Sequence, residues 1–381
     1  MEQAEKIKIL QDLIRIHSVN GNELAVAQYL QQLFNAHGIT DVALIPFNGA
    51  QDRCSMIVEI GNHAADKVLA LAGHMDTVAV GATANWQFDP FSGQQVGDTI
   101  YGRGAADMKS GLAAMVIAVI EIKEANVPLT GRLRFIGTAG EELGARGAVE
   151  LTQQGRIHDV TAMVVGEPTG GNIVYAHSGQ FNYRVKSYGK SAHSSLPATG
   201  INAIYNLNEF ITAERTAFID APKSQLLGNL EHSITVIQGG DQINSIPDYA
   251  QLEGNIRPIP EFNTQQVLDR LQSIITTLNQ QPQVKLVLQV IDRFEALAND
   301  PDAPFVQQLQ AARTAAFGTP AQKLIIHGAT DASAYVADNA CPMLLLGAGD
   351  WQVAHQVDEA VSIDNYLKVI TTYKNIVRSY L

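Results

Sequence analysis

Hydrophobic and polar residues follow two different periods along this chain. Between Ile7 and Ile14 apolar residues recur at helical spacing, which predicts an amphipathic helix at the start of the sequence. Helices are expected where this period recurs, and strands where short apolar runs lie between turn residues. The predicted helices that follow are residues 23–36, 109–125 and 144–153, and the predicted strands are residues 55–60, 68–72, 132–138 and 162–165.

The pattern changes near His177. From Gln180 to Ser187 apolar and polar residues alternate, which is typical of an antiparallel strand with one exposed face. The later elements complete the order strand-helix-strand-strand-helix-strand, as in a small ferredoxin-like unit. Their predicted ranges are 201–219 and 263–279 for the helices, and 233–238, 250–257 and 284–291 for the strands.

A layered α/β pattern precedes this segment and returns after Asp292, where residues 324–326 and 343–346 are predicted strands. We therefore predict an α/β protein with a three-layer α/β/α domain made of residues 1–176 and 292–381. A ferredoxin-like α+β domain, residues 177–291, is inserted into it. The length of 381 residues exceeds the roughly 100–200 of a usual domain and favours this division.

The net charge of −12, from 26 basic and 38 acidic residues, disfavours a nucleic-acid partner. With only two cysteines, Cys54 and Cys341, a disulfide framework is not expected and a reducing compartment fits. The longest apolar stretch, residues 112–120, is too short to cross a membrane, and the first residues carry no apolar signal core. We expect a soluble cytoplasmic protein without a membrane partner.

Several candidate functional side chains follow predicted strands. The strand 68–72 runs into His74 and Asp76, and residues two apart in an extended chain point to the same side. Asp76 can therefore reach the far ring nitrogen of His74 and orient the ring as a metal ligand. Taken alone, the pair also fits a histidine that is merely hydrogen-bonded at a strand end.

Asp107 lies at a loop-to-helix junction in a glycine-rich segment that invites comparison with nucleotide-binding loops. The glycine pattern fails at Asp107, and Met108 stands where a P-loop has the glycine before its lysine. A carboxylate here would also repel phosphate. Asp107 is thus a candidate oxygen ligand for a metal, and a helix N-cap is the alternative.

Glu141 and Glu142 follow the strand 132–138 and lie between Gly140 and Gly144. Neighbouring residues on a turn diverge by about 100°, so one carboxylate can bind a metal while the other holds a water. Exposed glutamates are the usual alternative for a lone pair of this kind. The preceding apolar strand and the flanking glycines favour a functional site.

Glu167, after the strand 162–165, and His355, in a loop near the carboxyl terminus, complete the set of candidates. In open α/β sheets, ligands gather at the carboxyl ends of strands. One bridging carboxylate, with a histidine and a further carboxylate for each ion, would give a symmetric two-metal site. Mixed imidazole and carboxylate ligands suit Zn²⁺, with Co²⁺ or Mn²⁺ as alternatives. The predicted ligands are His74, Asp107, Glu142, Glu167 and His355.

These motifs, in this order, resemble the co-catalytic zinc family of acetylornithine deacetylase, succinyl-diaminopimelate desuccinylase, aminoacylase and carboxypeptidase G. The resemblance covers essentially the whole chain, including the inserted domain. It implies that Asp107 bridges two metal ions. His74 and Glu167 would complete the ligands of one ion, and Glu142 and His355 those of the other.

The resemblance also implies roles for residues beside the ligands. Glu141 matches the family's general base, and Asp76 matches the residue that supports the first histidine. A cis peptide is implied between Asp107 and Met108. Glu rather than Asp at position 167, in the segment Gly-Glu-Pro-Thr, is similar to the deacetylase and desuccinylase branch of the family.

Further matches lie in the inserted domain and beyond it. His193 resembles a histidine that reaches the active site of a neighbouring subunit and helps to stabilise the oxyanion. Asn244 and Arg257 resemble the clamp for a substrate carboxylate, and Asp331 resembles part of a substrate-side loop. Together these matches imply a homodimer that pairs through the inserted domains.

The implied activity is hydrolysis of the amide bond of a small N-acyl amino acid, with succinyl-diaminopimelate the first expectation and N-acetylornithine the second. A di- or tripeptidase or carboxypeptidase of the same superfamily, acting on a short peptide, is the nearest alternative. A non-catalytic metal-dependent binding protein is an alternative of another class, and the presence of Glu141 disfavours it.

Overall fold

The computed structural model describes residues 1–47 and 49–381. The chain divides into two compact units. Unit 1 consists of Met1–Tyr175, Asn299–Leu324 and Thr330–Leu381, and unit 2 consists of Ala176–Ala298 and Ile325–Ala329. The predicted insertion, residues 177–291, lies inside the long segment of unit 2, and its limits as a domain stay a prediction.

The first six helices lie close to the ranges that the sequence periods predict, and the three that follow Asp292 were not predicted. Within the described residues, no helix is both long and apolar enough to cross a membrane. In chain order the helices are α1 Gln3–Arg15, α2 Glu23–Ala36, α3 Lys109–Glu124, α4 Arg146–Gln153, α5 Ala203–Glu214, α6 Thr264–Leu278, α7 Pro304–Phe317, α8 Ala332–Val336 and α9 Ile363–Tyr380.

The strands are short in most cases, and several have only two or three residues. In chain order they are β1 Val42–Pro46, β2 Cys54–Gly61, β3 Val68–His74, β4 Gln94–Val96, β5 Thr99–Tyr101, β6 Arg132–Thr138, β7 Ala162–Val165, β8 Ile173–His177, β9 Gln180–Tyr188, β10 Ala192–His193, β11 Glu231–Gly239, β12 Ser245–Ile246, β13 Tyr249–Arg257, β14 Leu286–Phe294, β15 Leu297–Ala298, β16 Lys323–Ile326, β17 Met343–Leu345 and β18 Ala360–Ser362.

The main sheet of unit 1 has the order β1-β2-β6-β3-β7-β17-β8. Every residue of β3 is buried, as its unbroken apolar sequence predicts for a strand covered on both faces. It pairs in parallel with β6 on one side and with β7 on the other. The next strand of this sheet along the chain, β6, lies on one side of β3, and the one after it, β7, lies on the other side. Ligand sites in open α/β sheets form at the carboxyl end of a strand where the connections change sides in this way.

Helices cover both faces of this sheet. Leu133 and Phe135 of β6 belong to one large core with α3 and α9, whereas Ile136 is buried outside that core. Since successive residues of a strand point to opposite faces, apolar packing exists on both sides. On the second side α4 contacts β2 and α8. The predicted mixed α/β fold class is confirmed.

A second, small sheet in unit 1 has the order β18-β5-β4. Antiparallel pairing places Ala360 opposite Tyr101, and the N–H of Gly102 continues the ladder by donating to the carbonyl of Glu359 at 2.9 Å. This pairing brings the segment before α3 beside the segment after His355, although about 250 residues separate them in sequence.

Unit 2 contains a four-stranded antiparallel sheet with the order β11-β13-β9-β14. Its elements follow the predicted strand-helix-strand-strand-helix-strand order. In β9 the residues Phe181, Tyr183 and Val185 are buried and the intervening ones are half-buried, which confirms the predicted alternation. The predicted helix 201–219 is too long, because α5 ends at Glu214 and Phe218 packs on His232 and Phe262.

Candidate metal centre

The strand order of unit 1 gathers the predicted ligands at one edge of the sheet. His74 is the last residue of β3, Glu142 follows β6, and Glu167 follows β7. Because β6 and β7 flank β3 in parallel, the carboxyl ends of all three strands meet. The prediction from strand ends is therefore realised for these three residues.

Asp107 lies between the two predicted histidine ligands. Its Oδ1 is 3.1 Å from Nε2 of His74, and its Oδ2 is 3.2 Å from Nε2 of His355. The same nitrogen of His355 is 3.0 Å from Oε1 of Glu142. One ligand atom from each of His74, Asp107 and Glu142 lies within 4.8 Å of the others. A carboxylate with an imidazole at each oxygen has the arrangement expected of a bridging ligand.

Glu167 is buried, and its Oε1 has no hydrogen-bond partner within the described part of the chain. Burying a carboxylate oxygen without a hydrogen-bond donor costs free energy unless a positively charged group lies beside it. Burial lowers the pKa of His74, but the hydrogen bond with Asp107 and the negative charge of Glu167 raise it well above its ordinary value, so Glu167 and His74 interact electrostatically. Glu167 thus has an oxygen available for a cation, although its role as a ligand stays a prediction.

The carboxylates of the site oppose one another's ionisation. Burial raises the pKa of Glu141 and of Glu167 well above the ordinary value, and the charges of Asp331 and Glu142 raise both further. For His355 the hydrogen bonds with Asp107 and Glu142 raise the pKa to about 10. A buried group of carboxylates that oppose one another's ionisation favours cation binding. The imidazole and carboxylate donors fit divalent ions such as Zn²⁺, Co²⁺ or Mn²⁺.

Asp76 supports the site differently from the way its spacing predicts. Nδ1 of His74 lies 3.0 Å from the main-chain oxygen of Asp76, whereas the distance to the carboxylate Oδ1 is 3.6 Å. That carboxylate instead accepts hydrogen bonds from the backbone N–H groups of Gly140, Glu141 and Glu142, at 3.0 to 3.2 Å. Asp76 therefore orients the first ligand through its backbone and the Glu141–Glu142 turn through its side chain.

The turn that carries the adjacent glutamates begins at Gly140, whose φ of +72° is a conformation that glycine adopts without strain. Glu141 starts the 3₁₀ turn Glu141–Leu143 and is half-buried. Glu142 reaches His355, while Glu141 has no hydrogen bond to the predicted ligands in the described structure. The two carboxylates diverge, which leaves Glu141 available for proton transfer.

The segment before α3 does not use Asp107 as a helix cap. The N-cap residue of α3 is Met108, without a side-chain hydrogen bond, and the Asp107–Met108 peptide is cis as the resemblance implies. The motifs predict no role for Arg103 or Glu359, although both are buried beside this segment. Their only sequence signal is position, since Glu359 follows His355 by four residues and Arg103 precedes Asp107 by four.

In unit 2 the structure brings two of the three predicted residues together. Pairing of β10 with β12 places His193 opposite Ser245, and the N–H of Ser194 donates to the carbonyl of Asn244 at 3.0 Å. His193 is exposed, and its Nδ1 lies 2.7 Å from Oγ of Ser195. An exposed histidine beside an exposed asparagine is free to contact a ligand.

Arg257 ends β13 in the same unit, is half-buried, and donates from Nη1 to Gln180 at 3.1 Å. Burial lowers the pKa of this guanidinium. Asp331, in unit 1, is fully buried, accepts a hydrogen bond from Thr138, and has a pKa that burial raises to about 6. Its carboxylate is enclosed, and the place of Asp331 in a substrate-side loop stays a prediction.

The sequence matches the model of peptidase family M20/M25/M40 over residues 70–379. It is 34% identical to a Staphylococcus aureus protein described as "Probable succinyl-diaminopimelate desuccinylase", an alignment that covers 100% of this chain and 98% of that one. It is also 30% identical to acetylornithine deacetylase of Pasteurella multocida, over 84% of this chain and 82% of the other.

Solved structures share the fold at lower identity. An M20 family metallo-carboxypeptidase from Sulfolobus solfataricus has a TM-score of 0.79 at 18% identity, and the match covers 100% of this chain and 99% of the other. A tripeptidase from Staphylococcus aureus has a TM-score of 0.77 at 23% identity, with the same coverage. At these identities the likeness shows the fold alone.

Proposed function

This chain belongs to peptidase family M20/M25/M40, and from that membership and the geometry of the metal centre we propose that it cleaves the amide bond of a small N-acyl amino acid. The observation that carries the proposal is the placement of Asp107 between His74 and His355, at 3.1 and 3.2 Å. A half-buried Glu141 stands in the turn beside them. This is the donor set of a metal-dependent hydrolase with an acid–base group at hand.

Succinyl-diaminopimelate is the first substrate that we propose, and N-acetylornithine is the second. In support, the Staphylococcus aureus relative is described as a probable desuccinylase of the first compound and aligns over the full length of this chain. The acetylornithine deacetylase relative aligns over a smaller share. Glu167, in its Gly-Glu-Pro-Thr segment, resembles the deacetylase and desuccinylase branch and so is in keeping with either substrate.

Two divalent ions, with Zn²⁺ first, are proposed at the centre. His74 and Glu167 would hold one ion, Glu142 and His355 the other, and Asp107 would contact both. Bound there, such ions supply Lewis-acid polarisation of the scissile carbonyl and a lowered pKa for water. The buried, unpartnered Oε1 of Glu167 supports this assignment.

Glu141 is proposed as the general base that takes a proton from the attacking water and delivers it to the leaving amine. The position of Glu141 supports the role. Asp76 holds the backbone N–H groups of Glu141 and its neighbours, while the Glu141 carboxylate has no hydrogen bond to a predicted metal ligand in the described structure. A positioned acid–base group of this kind contributes typically 10²–10⁴-fold to the rate.

His193, Asn244 and Arg257 are proposed to act on the substrate from unit 2. His193 would stabilise the oxyanion, and Arg257 with Asn244 would hold a substrate carboxylate, since guanidinium binds carboxylate in a bidentate manner. The exposure of His193 and Asn244 supports a contact with ligand. Asp331 is proposed as part of the substrate-side loop, as the resemblance implies.

A homodimer paired through unit 2 completes the proposal. Strand β11 is an edge of its sheet and exposes Val236 and Ile237, by 39% and 58%. An edge strand with apolar side chains is prone to pair with a second chain. We also propose a cytoplasmic location, which the free thiols of Cys54 and Cys341 support.

The substrate is tested by measuring hydrolysis rates for succinyl-diaminopimelate, N-acetylornithine, other N-acyl amino acids and di- and tripeptides. Each is assayed with Zn²⁺, Co²⁺ or Mn²⁺ added. We expect the largest kcat/KM for succinyl-diaminopimelate. Faster cleavage of peptides than of every acyl amino acid would reject the deacylase proposal in favour of a peptidase.

The base is tested with Glu141→Gln, which keeps the side-chain shape but removes the proton acceptor. We expect kcat to fall by about 10²–10⁴-fold with bound metal unchanged. Glu124→Gln is the matched control, because Glu124 is exposed by 42% and pairs with His37 rather than with a predicted ligand. If Glu141→Gln retained the activity of this control, Glu141 would not be the base.

A further inference from the structure

Glu359 forms an unusually complete set of hydrogen bonds to the segment that carries Asp107. Its Oε1 accepts from the backbone N–H groups of Ala106 and Asp107, at 2.8 and 2.9 Å. Its Oε2 accepts from the backbone N–H of Gly104 at 3.0 Å and from Nη1 of Arg103 at 2.5 Å. The side chain is fully buried, and in the described part of the chain these four donors are its polar partners.

Arg103 extends these contacts to two further parts of unit 1. Its Nη1 also donates to the carbonyl of Gln356 at 3.2 Å. Its Nη2 donates to the carbonyls of Ala79 and His355, at 3.2 and 3.4 Å. Arg103 and Glu359 thus form a buried ion pair that binds the segment after Asp76, the segment before α3, and the loop of His355.

The contacts close a ring through the metal centre. The backbone of Asp107 is held by Glu359, and the carboxylate of Asp107 meets the ring of His355. His355 and Glu359 lie four residues apart in one loop. One end of this loop, at His355, meets the carboxylate of Asp107, and the other end, at Glu359, holds the backbone of Asp107. The loop therefore fixes the distance between the Asp107 carboxylate and the His355 ring.

We propose that Glu359 is a positioning residue of the metal centre, whose carboxylate fixes the Asp107 segment relative to His355. The inference rests on the proposed function, because it assigns Asp107 and His355 to the ion that they would share with Glu142. Partners that orient ligands in this way are typically worth 10–100-fold in metal affinity or activity.

Only an acceptor satisfies this position. All four partners of Glu359 are N–H groups, which donate and cannot accept. In Glu359→Gln the shape is kept, but the amide NH₂ must face either Ala106 and Asp107 or Gly104 and Arg103. Two buried donors then lose their acceptor, and the backbone of the Asp107 segment has to shift.

The test titrates metal-free chains with Co²⁺ and records stoichiometry, affinity and the visible absorption of the bound ions. For the wild type we expect two Co²⁺ per chain. For Glu359→Gln we expect the weaker ion to bind about 10–100-fold less tightly, with an altered absorption spectrum. We expect kcat to fall by a similar factor, and KM to change less than about threefold, because substrate contacts remain.

Glu59→Gln is the matched control. Glu59 is also largely buried and pairs with Arg134, but it lies on β2 opposite the amino-terminal half of β6, away from the ligand ends of the strands. This control should lose stability and keep wild-type Co²⁺ binding. Weakened Co²⁺ binding in the control as well would assign the effect to general destabilisation and overturn the proposal.

Arg103→Lys provides a second measurement if Glu359→Gln does not fold. The lysine keeps a charge beside Glu359 but cannot reach the carbonyls of Ala79, His355 and Gln356 together, so we expect intermediate weakening of the second Co²⁺. Folded variants with wild-type Co²⁺ affinity and spectrum would overturn the positioning role. If the wild type bound two Co²⁺ but hydrolysed no acyl amino acid, the substrate proposal alone would fail, and the titration would still decide the role of Glu359.

Discussion

His355 differs from the other candidate ligands in exposure and in backbone conformation. Its side chain is 50% exposed, whereas that of His74 is 1% exposed. Its φ of +63° lies in the left-handed region, which costs a non-glycine residue about 1–3 kcal/mol unless the surroundings stabilise it. Asp358, with φ of +58°, shares this feature. Backbone strain of this kind is frequent at active sites and ligand-binding sites.

Because His355 is proposed as the imidazole ligand of one ion only, His355→Ala should leave the other ion in place. We expect about one metal per chain after dialysis, against two in the wild type, and at least a 100-fold loss of kcat. Elemental analysis of the dialysed protein measures the first quantity. His63→Ala is the control, since His63 is 58% exposed and pairs with Glu59, away from the predicted ligands. Two ions per chain in His355→Ala would contradict the ligand assignment.

At the residue scale, the sequence was sufficient for positions whose chemistry depends on strand ends. His74, Glu142 and Glu167 follow apolar strands, and parallel pairing brings them together. Glu359 could not be found in this way, because its partners are backbone N–H groups of a segment about 250 residues earlier. The sequence also could not predict that His74 contacts the main-chain oxygen of Asp76. Residue spacing alone does not show whether the carboxylate or the backbone carbonyl of Asp76 is the partner.

At the scale of elements, α3 shows that an apolar run can predict a buried helix correctly without identifying the elements that pack on it. Residues 112–120 are all buried, as expected for a helix that is hydrophobic on every side. The helix packs on β3 and β6 and is covered by α9. Its run predicts burial, but nothing in it identifies a covering helix that lies about 250 residues later.

One ion-pair cluster joins three of these helices. Glu121 of α3 lies 2.6 Å from Nζ of Lys6 in α1 and 2.6 Å from Nζ of Lys374 in α9. Burial alone would raise the pKa of Glu121, but the hydrogen bonds from Lys374 and Lys6 lower it from 4.5 to about 2. The carboxylate is therefore ionised in the folded state at pH values where it would be protonated in the unfolded chain.

Glu121→Gln should lower the free energy of unfolding by about 1–2 kcal/mol near pH 7, a value reduced for partial solvent screening of the lysines. A lowered folded-state pKa contributes stability that is complete above the unfolded pKa of 4.5 and is lost as pH falls towards 2. The difference between wild type and variant should therefore shrink between about pH 5 and pH 3. Urea unfolding followed by circular dichroism at several pH values measures it.

Asp364→Asn is the control for this prediction. Asp364 pairs with Lys368 one turn away on α9, but the carboxylate is 62% exposed. Exposed pairs at this spacing contribute about 0.3–0.5 kcal/mol. A Glu121→Gln variant no less stable than this control, or a difference independent of pH, would show that the buried cluster adds nothing.

The sequence failed to indicate several elements, among them the long helices α7 and α9 and three very short strands. Strands β4, β5 and β18 have three residues each, too few for any period to be recognised. Yet their sheet aligns the Asp107 segment with Glu359. The boundary of α5 was misplaced for a related reason, because Phe218 continues the apolar pattern while its ring packs in a turn.

At the scale of the whole molecule, acidic charge is concentrated where cations are expected. The chain carries a net charge of −12, and the three carboxylates proposed as ligands lie at one edge of the sheet together with Glu141, Asp76 and Asp331. Two divalent ions would add +4 at that point and offset most of this negative charge, which weakens the repulsion of anions. A substrate carboxylate is then compatible with an acidic protein, as the proposed clamp requires.

The proposed homodimer is tested by whether two inactive chains restore activity together. One variant is His193→Ala, with Glu141 intact, and the other is Glu141→Gln, with His193 intact. If His193 serves the site of the partner subunit, a mixed dimer has one site with both residues and one site with neither. Random exchange makes half of the dimers mixed, so about a quarter of all sites should be active.

The controls for this experiment are each variant alone, taken through the same denaturation and refolding, and a mixture of Glu141→Gln with His355→Ala. In that mixture both defects lie in unit 1, so a mixed dimer holds one site with each defect and no intact site. Activity near a quarter of wild type in the first mixture, and none in the second, would place His193 in trans. If neither mixture recovered while capture of an affinity tag on one variant also retained the other variant, His193 would act within its own chain or not at all.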